Sequence, residues 1–85
     1  MRSLGFDDAA FEDLAWWVER DRAVALRILR LIRDTQREPF GGTGKPEPLK
    51  HELQSCWSGR IGREHRLVYQ VQQDKIRILA RRYHY

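Results

Sequence analysis

Hydrophobic residues in the first half of the chain recur at a helical spacing. Two sets of four follow the i, i+3, i+4, i+7 pattern: Phe11, Leu14, Ala15 and Val18, then Ala25, Ile28, Leu29 and Ile32. Because this spacing places each set on one side of a helix, it predicts two amphipathic helices that bury these stripes. Asp7 or Asp8 is suited to cap the first helix, and Asp21 the second. The short stretch Ser3–Phe6, ahead of both, is predicted to be an edge strand.

The second half changes to a period of two after a loop rich in glycine and proline. Residues 39–48 contain three glycines and three prolines, which end the helical pattern. Beyond them, alternating hydrophobic residues predict three strands, Trp57–Ile61, Arg66–Val71 and Ile76–Tyr83. The turns between them are short, so these strands must be antiparallel neighbours. We therefore expect an α+β fold, in which two N-terminal helices pack on one face of a small antiparallel, twisted sheet, as a single domain over residues 1–85.

The composition fits one small globular domain. The chain has 85 residues, of which 41% are hydrophobic and 11% aromatic, enough for a modest core. No apolar run approaches the roughly 20 residues of a membrane span, and the first residues do not resemble a signal peptide. The single cysteine, Cys56, has no partner for an internal disulfide and lacks the Cys and His neighbours of a zinc site. These features predict a cytoplasmic protein.

Charge is distributed unevenly along the chain. Residues 1–40 hold seven basic and eight acidic side chains, whereas residues 41–85 hold nine basic and four acidic ones. The net charge of +4 therefore comes from the second half. A basic half joined to a near-neutral half indicates one surface suited to a polyanion such as nucleic acid. A solvated, arginine-rich surface is the alternative that charge alone leaves open.

One face of the predicted sheet has no helix layer. Strand alternation places Arg60 and Arg66 there, and the preceding loop contributes Glu47 and Lys50. A bulge would exchange the faces of the last strand, so that strand adds one of two sets: Arg82 with His84, or Arg81 with Tyr83 and Tyr85. RNA cleavage needs a proton acceptor for the 2′-hydroxyl, a proton donor for the leaving 5′-oxygen and cations around the phosphate. This chemistry requires no metal and no cofactor.

Several motifs carry a resemblance to a known family, and they extend over nearly the whole chain. They are Lys45–His51 (KPEPLKH), Trp57–Ser58, Arg60–Ile61, Glu64–Tyr69 (EHRLVY) and Arg82–Tyr85 (RYHY). In this order and spacing, they make the chain similar to the YoeB/Txe family of bacterial toxins, within the RelE/ParE superfamily. One position departs from the pattern, because Gly59 stands where a polar, often basic, side chain is expected.

The resemblance implies a RelE-like microbial ribonuclease fold and a ribosome-dependent mRNA endoribonuclease. Such a toxin acts on message in the ribosomal A site, in contact with rRNA, and is silenced by a co-expressed antitoxin of the YefM type. By this resemblance Glu47 is the general base, His84 the general acid and Arg66 the group that stabilises the transition-state phosphate, while Tyr85 shapes the active site. Four basic residues are assigned to RNA or phosphate binding: Lys45, Lys50, Arg60 and Arg82.

These roles have structural alternatives. Glu47 would otherwise be an exposed loop carboxylate paired with a neighbouring lysine, and Arg66 would pair with Glu64 or Asp74 across the strands. The chain would then be a non-catalytic RNA- or protein-binding module on the same scaffold, as ParE-like inhibitors are. A pure RNA-binding module needs the cations but has no use for the Glu47 carboxylate.

The remaining aromatic and basic residues are assigned more simply. Because one helix face cannot bury both Trp16 and Trp17, we expect one in the core and the other at a protein contact, with a homodimer favoured. His51 and His65 are predicted to be structural. The arginines on the outer faces of the second helix are either solvated or face rRNA: Arg27, Arg30, Arg33 and Arg37.

Overall fold

The computed structural model describes residues 1–42, 44, 46–48, 56–62 and 65–79. Two helices and five strands follow one another along the chain: β1 (Ser3–Phe6), α1 (Asp8–Arg20), α2 (Arg22–Arg37), β2 (Glu47–Pro48), β3 (Cys56–Arg60), β4 (Arg66–Val71) and β5 (Lys75–Ile78). The α+β fold and the two N-terminal helices are confirmed. Strand β2 lies inside the segment predicted to be a loop. The prediction for residues 80–83 of the last strand lies outside the described residues.

The five strands form one sheet in the order β1-β5-β4-β3-β2. Strands β2 to β5 are antiparallel to their neighbours, as the short turns predict. Strand β1 is parallel to β5, with Ser3 opposite Lys75 and Phe6 opposite Ile78. The prediction of a purely antiparallel sheet is therefore wrong, and the sheet is mixed. A turn length sets the direction of consecutive strands only, whereas both helices separate β1 from β5 along the chain.

Both helices begin at aspartates, which use their carboxylates differently. Asp21 caps α2, because its Oδ1 accepts a hydrogen bond of 3.3 Å from the backbone N–H of Val24. Asp7 is the N-cap residue of α1 but makes no side-chain cap. Its Oδ1 instead accepts a 2.7 Å ion-pair hydrogen bond from Nε of Arg77 on β5. This contact joins the start of α1 to the sheet.

The core lies between the two helices and one face of the sheet, but α1 turns a different side inward than its periodicity predicts. Phe11 and Val18 are 62% and 52% exposed, whereas Ala10 and Trp17 are buried. The prediction of a buried stripe is therefore wrong for Phe11 and Val18 and also for Ala15, which is exposed, whereas Leu14 is partly buried against the core. The Trp17 ring has more apolar surface to remove from water than the Val18 side chain, so burying it is favoured.

The neighbouring tryptophan remains half-buried at the edge of this core. The Arg20 guanidinium lies 4.5 Å above the Trp16 ring, in cation–π geometry. The prediction that one tryptophan of the pair enters the core is thus confirmed. The prediction of a protein contact for the other stays a prediction.

Helix α2 buries most of its predicted stripe. Ala25, Ile28 and Ile32 are buried as predicted, but Leu29 is 45% exposed. Leu31 is buried in its place and packs in the core with the sheet residues Leu67 and Tyr69. In the described part of the chain, neither helix is long and apolar enough to cross a membrane.

Candidate functional site

The register of β2, β3 and β4 brings the sequence-predicted residues Glu47, Arg60 and Arg66 to one face of the sheet. Glu47 pairs with Ser58, and Arg60 pairs with Arg66. Directly paired residues point to the same side, as do residues two apart along a strand. The four residues therefore share a face. It is the face away from the helices, because the alternate residue Leu67 lies in the helix-facing core.

Ser58 lies between the strand position of Glu47 and the guanidinium group of Arg66. Nη1 of Arg66 lies 3.5 Å from Oγ of Ser58, at the long end of the hydrogen-bond range. Ser58 is only 3% exposed, and Glu47 is its partner on β2. Arg66 thus extends over Ser58 toward the strand that carries Glu47. The role of Ser58 was missed from the sequence, because only the strand register shows that it lies between the two charged residues.

Positive charge is concentrated at the end of this face. Arg60 and Arg66 are directly opposed, and neither has an ion pair within 4.0 Å among the described residues. Arg77 lies on the same face but is paired with Asp7. The alternative pairing of Arg66 with Asp74 is absent from this part of the chain, and Glu64 lies outside it. Two arginines paired across adjacent strands concentrate positive charge here, which favours an anion.

The segment that leads to Glu47 is held by two backbone carbonyls. The hydroxyl of Tyr69 donates a 2.6 Å hydrogen bond to the carbonyl oxygen of Pro39, just past α2. Further along, the carbonyl oxygen of Gly44 accepts a 3.0 Å hydrogen bond from the backbone N–H of Arg60. A Cβ at Gly44 would lie 2.6 Å from Cδ1 of Leu31, so a larger residue there would have to displace the Leu31 side chain. These contacts set the approach of the chain to β2.

Burial perturbs two ionisable groups of the sheet, Tyr69 in the helix-facing core and Cys56 on the Glu47 face. It raises the pKa of Tyr69 to about 12, although a hydrogen bond with the Thr35 side chain acts in the opposite direction. Burial also raises the pKa of the Cys56 thiol, and the charge of Arg77 partly offsets that rise. Cys56 is 3% exposed and free, so its thiol is protonated at neutral pH and poorly reactive.

Gly59 and His65 lie on the helix-facing side of the sheet. Gly59 alternates with Ser58 and Arg60, and a Cβ there would lie 3.7 Å from Cδ2 of Leu31. A polar side chain at this position would therefore enter the core side rather than the Glu47 face. The ring of His65 packs edge-on against Trp17, with their centroids 4.9 Å apart. This packing agrees with the structural role predicted for His65, which stays a prediction.

Several candidate residues fall outside the described part of the chain: Lys45, Lys50, His51, Arg82, His84 and Tyr85. Their assigned roles stay predictions. Within the described residues, no group of three or more His, Cys, Asp and Glu side chains is placed to hold a metal ion. The described residues thus place a carboxylate, a hydroxyl and two arginine side chains on one sheet face.

The sequence of nearly the whole chain matches a known family. A family model described as a YoeB-like toxin of a bacterial type II toxin–antitoxin system matches residues 6–85. This chain belongs to the YoeB toxin family. The resemblance seen in the sequence motifs is thereby confirmed. A toxin named YoeB from Mycobacterium bovis is 54% identical over 85 residues, covering 100% of both chains. A YoeB toxin from Escherichia coli is 50% identical over 82 residues, covering 96% of this chain and 98% of its own.

Solved YoeB structures share the fold. The YoeB/ParE toxin from Agrobacterium tumefaciens superimposes with a TM-score of 0.91 at 37% identity, covering 98% of this chain and 99% of its own. The YoeB dimer from Staphylococcus aureus has a TM-score of 0.89 at 38% identity, over 99% and 98% of the two chains. A YoeB–YefM complex from the same organism gives 0.87 at 36% identity, over 100% and 99%. The RelE-like arrangement expected from the sequence is confirmed.

Proposed function

We propose that this chain is an endoribonuclease toxin that cuts mRNA in the ribosomal A site and so inhibits translation. The observation that supports this most is the position of Glu47 and Arg66 on one sheet face, where Ser58 is the register partner of Glu47 and contacts the Arg66 side chain. A carboxylate beside an anion-binding pair of arginines suits proton abstraction next to a phosphate. Family membership adds that YoeB chains are toxins of type II toxin–antitoxin systems.

In the proposed reaction, Glu47 removes the proton of a ribose 2′-hydroxyl. The 2′-oxygen then attacks the adjacent phosphorus, and the bond from phosphorus to the 5′-oxygen breaks. Arg66 stabilises the charge that develops on the phosphate oxygens, and Arg60 adds a second cation on the same face. His84 donates the proton to the leaving 5′-oxygen. The products are a 2′,3′-cyclic phosphate and a 5′-hydroxyl, and the proposed proton transfers use only side chains of this protein.

The exposure of Glu47 agrees with the role of general base. Its side chain is exposed and has no ion pair with the described residues, so a substrate can reach the carboxylate. Tyr85 would complete the site, and Lys45, Lys50 and Arg82 would contact phosphates or rRNA. The ribosome would position the message, which supplies the orientation that a small, open site cannot provide.

The proposed partners are the ribosome and an antitoxin. The S. aureus relative forms a complex with YefM, and we propose a YefM-type antitoxin for this chain as well. Another S. aureus structure is a YoeB dimer, which supports a homodimer here. Both partnerships would operate in the cytoplasm, where translation takes place.

Primer extension on translating ribosomes tests the nuclease proposal. Addition of the purified chain should produce cuts at A-site codons, and Glu47→Gln should abolish them. A non-catalytic RNA- or protein-binding module, such as a ParE-like inhibitor, would arrest or bind without cutting. If such a module bound RNA, its Glu47→Gln variant would keep or increase its affinity for RNA, because the substitution removes a negative charge. Uncut message in the presence of the folded parent chain would contradict the proposal.

A further inference from the structure

A groove with a volume of about 640 Å³ runs beside α2 and is separate from the Glu47 carboxylate. Its walls come from one side of α2, from Gly44 and from the end of β3 at Arg60 and Ile61. Leu26 and Leu29 of α2 line it and are each 45% exposed. Since these two leucines are three residues apart, they form a continuous apolar strip along the helix.

Basic residues border this apolar strip. Four arginines of α2 line the groove: Arg27, Arg30, Arg33 and Arg37. Arg37 is paired with Asp34 at 3.1 Å. The other three have no ion pair within 4.0 Å among the described residues. The groove therefore offers free positive charge at its rim and apolar surface within it.

An apolar strip bordered by arginines favours one kind of ligand. A nucleic-acid backbone would match the arginines, but its phosphates would not cover exposed leucine side chains. A peptide with both acidic and apolar residues matches both features. We propose that the α2 groove binds an acidic, apolar-containing segment of the antitoxin, an inference that rests on the antitoxin partnership in the proposed function.

The groove ends at Arg60, next to the candidate site but on the helix side of the sheet. Arg60 lines the groove at the end of β3 and is the direct partner of Arg66 in the sheet. A segment that leaves the groove at this end passes the pair of opposed arginines. Its carboxylates would then compete with a substrate phosphate for the same cations. Occupation of the groove thereby couples antitoxin binding to inhibition without a contact to Glu47.

Titration calorimetry of a YefM-type antitoxin against purified variants tests this inference. Arg30→Glu and Leu29→Gln alter the groove. Arg22→Glu and Val18→Gln are matched changes at exposed positions that do not line it. We expect each groove variant to weaken binding about ten-fold or more, which corresponds to about 1.4 kcal/mol. The two controls should stay within about two-fold of the parent.

Circular dichroism would verify that all four variants fold. Groove variants that bind the antitoxin as tightly as the controls do would overturn the inference. Loss of ribosome-dependent cleavage with unchanged antitoxin affinity would overturn it too, in favour of an RNA-binding groove. Weakened antitoxin binding by the groove variants would uphold the inference. It would do so even if the parent chain cut no message, a result that would contradict only the nuclease proposal. A parent chain that did not bind the antitoxin would instead remove the partnership itself.

Discussion

Arg60 and Arg66 lie directly opposite each other on β3 and β4, on the sheet face that carries Glu47. Like charges in direct cross-strand pairs destabilise a sheet, typically by about 0.2–1 kcal/mol. This pairing therefore costs folding stability and creates a site whose repulsion an anion relieves. A pair of opposed arginines is therefore better explained by selection for anion binding than by selection for folding stability.

Replacing Arg60 should separate the destabilising repulsion between the two arginines from their binding of an anion. Arg60→Gln should raise the free energy of unfolding by up to about 1 kcal/mol, because the repulsion disappears. The extra stability that the parent gains from added sulfate should shrink in the same variant. Urea denaturation with and without sulfate measures both quantities, with Arg22→Gln as the matched control for charge. An unchanged sulfate effect would show that the anion binds elsewhere.

Glu47→Gln should remove activity and leave the fold intact. The substitution keeps the size of the side chain but abolishes its ability to accept a proton. We expect cleavage of ribosome-bound message to fall by about 10²–10⁴-fold. Glu12→Gln, at an exposed position on α1, is the control and should retain parental activity. Equal activity in the two variants would exclude Glu47 as the general base.

Arg66 is expected to act in the transition state rather than in substrate binding. Arg66→Ala should lower kcat about 10²–10³-fold with a smaller change in KM. Arg66→Lys should restore only part of the loss, since a lysine cannot make the two-pronged contact of a guanidinium group. Single-turnover cleavage on ribosomes measures these rates. Full activity of the lysine variant would indicate that charge alone is sufficient.

The buried Tyr69 hydroxyl makes stability depend on pH at the alkaline end. Folding raises the pKa of Tyr69 from 10.0 to about 12, so the folded state favours the protonated phenol. Its contribution to stability is complete below pH 10 and is lost as the pH rises toward 12. Tyr69→Phe should be about 0.5–1.5 kcal/mol less stable at neutral pH, because the bond to Pro39 is lost.

Denaturant unfolding of the parent and Tyr69→Phe, from neutral pH to about pH 12, tests this prediction. The parent should lose stability more steeply than the variant over the alkaline part of the series. Parallel curves would show that the Tyr69 phenol does not titrate with a raised pKa.

The ion pair between Asp7 and Arg77 should contribute modestly to the attachment of α1. Its atoms are 2.7 Å apart, and the two side chains are 34% and 47% exposed. For such partly exposed pairs, we expect a coupling of about 0.2–1 kcal/mol that weakens as salt rises. A double-mutant cycle with Asp7→Ala and Arg77→Ala measures it. A coupling that does not change with salt would argue against a mainly electrostatic contact.

Local sequence patterns predicted the helices and the antiparallel order of β3, β4 and β5 well. Their periodicity and turn lengths depend on residues close together in the chain. The pattern did not predict which side of α1 faces the core, because Phe11 and Trp17 both compete for burial. It also did not reveal β2, since a two-residue strand within a proline-rich loop forms only when a neighbouring strand provides hydrogen bonds.

By itself, the amino-acid sequence determined the α+β class, the basic second half, the family motifs and the candidates Glu47, Arg60 and Arg66. Only the tertiary structure decided that β1 joins β5 in parallel, that Ser58 lies between Glu47 and Arg66, and that Leu29 lines a groove instead of the core. These features depend on strand register and on competition for buried surface between distant segments. Such long-range relationships leave no periodic signal along the chain.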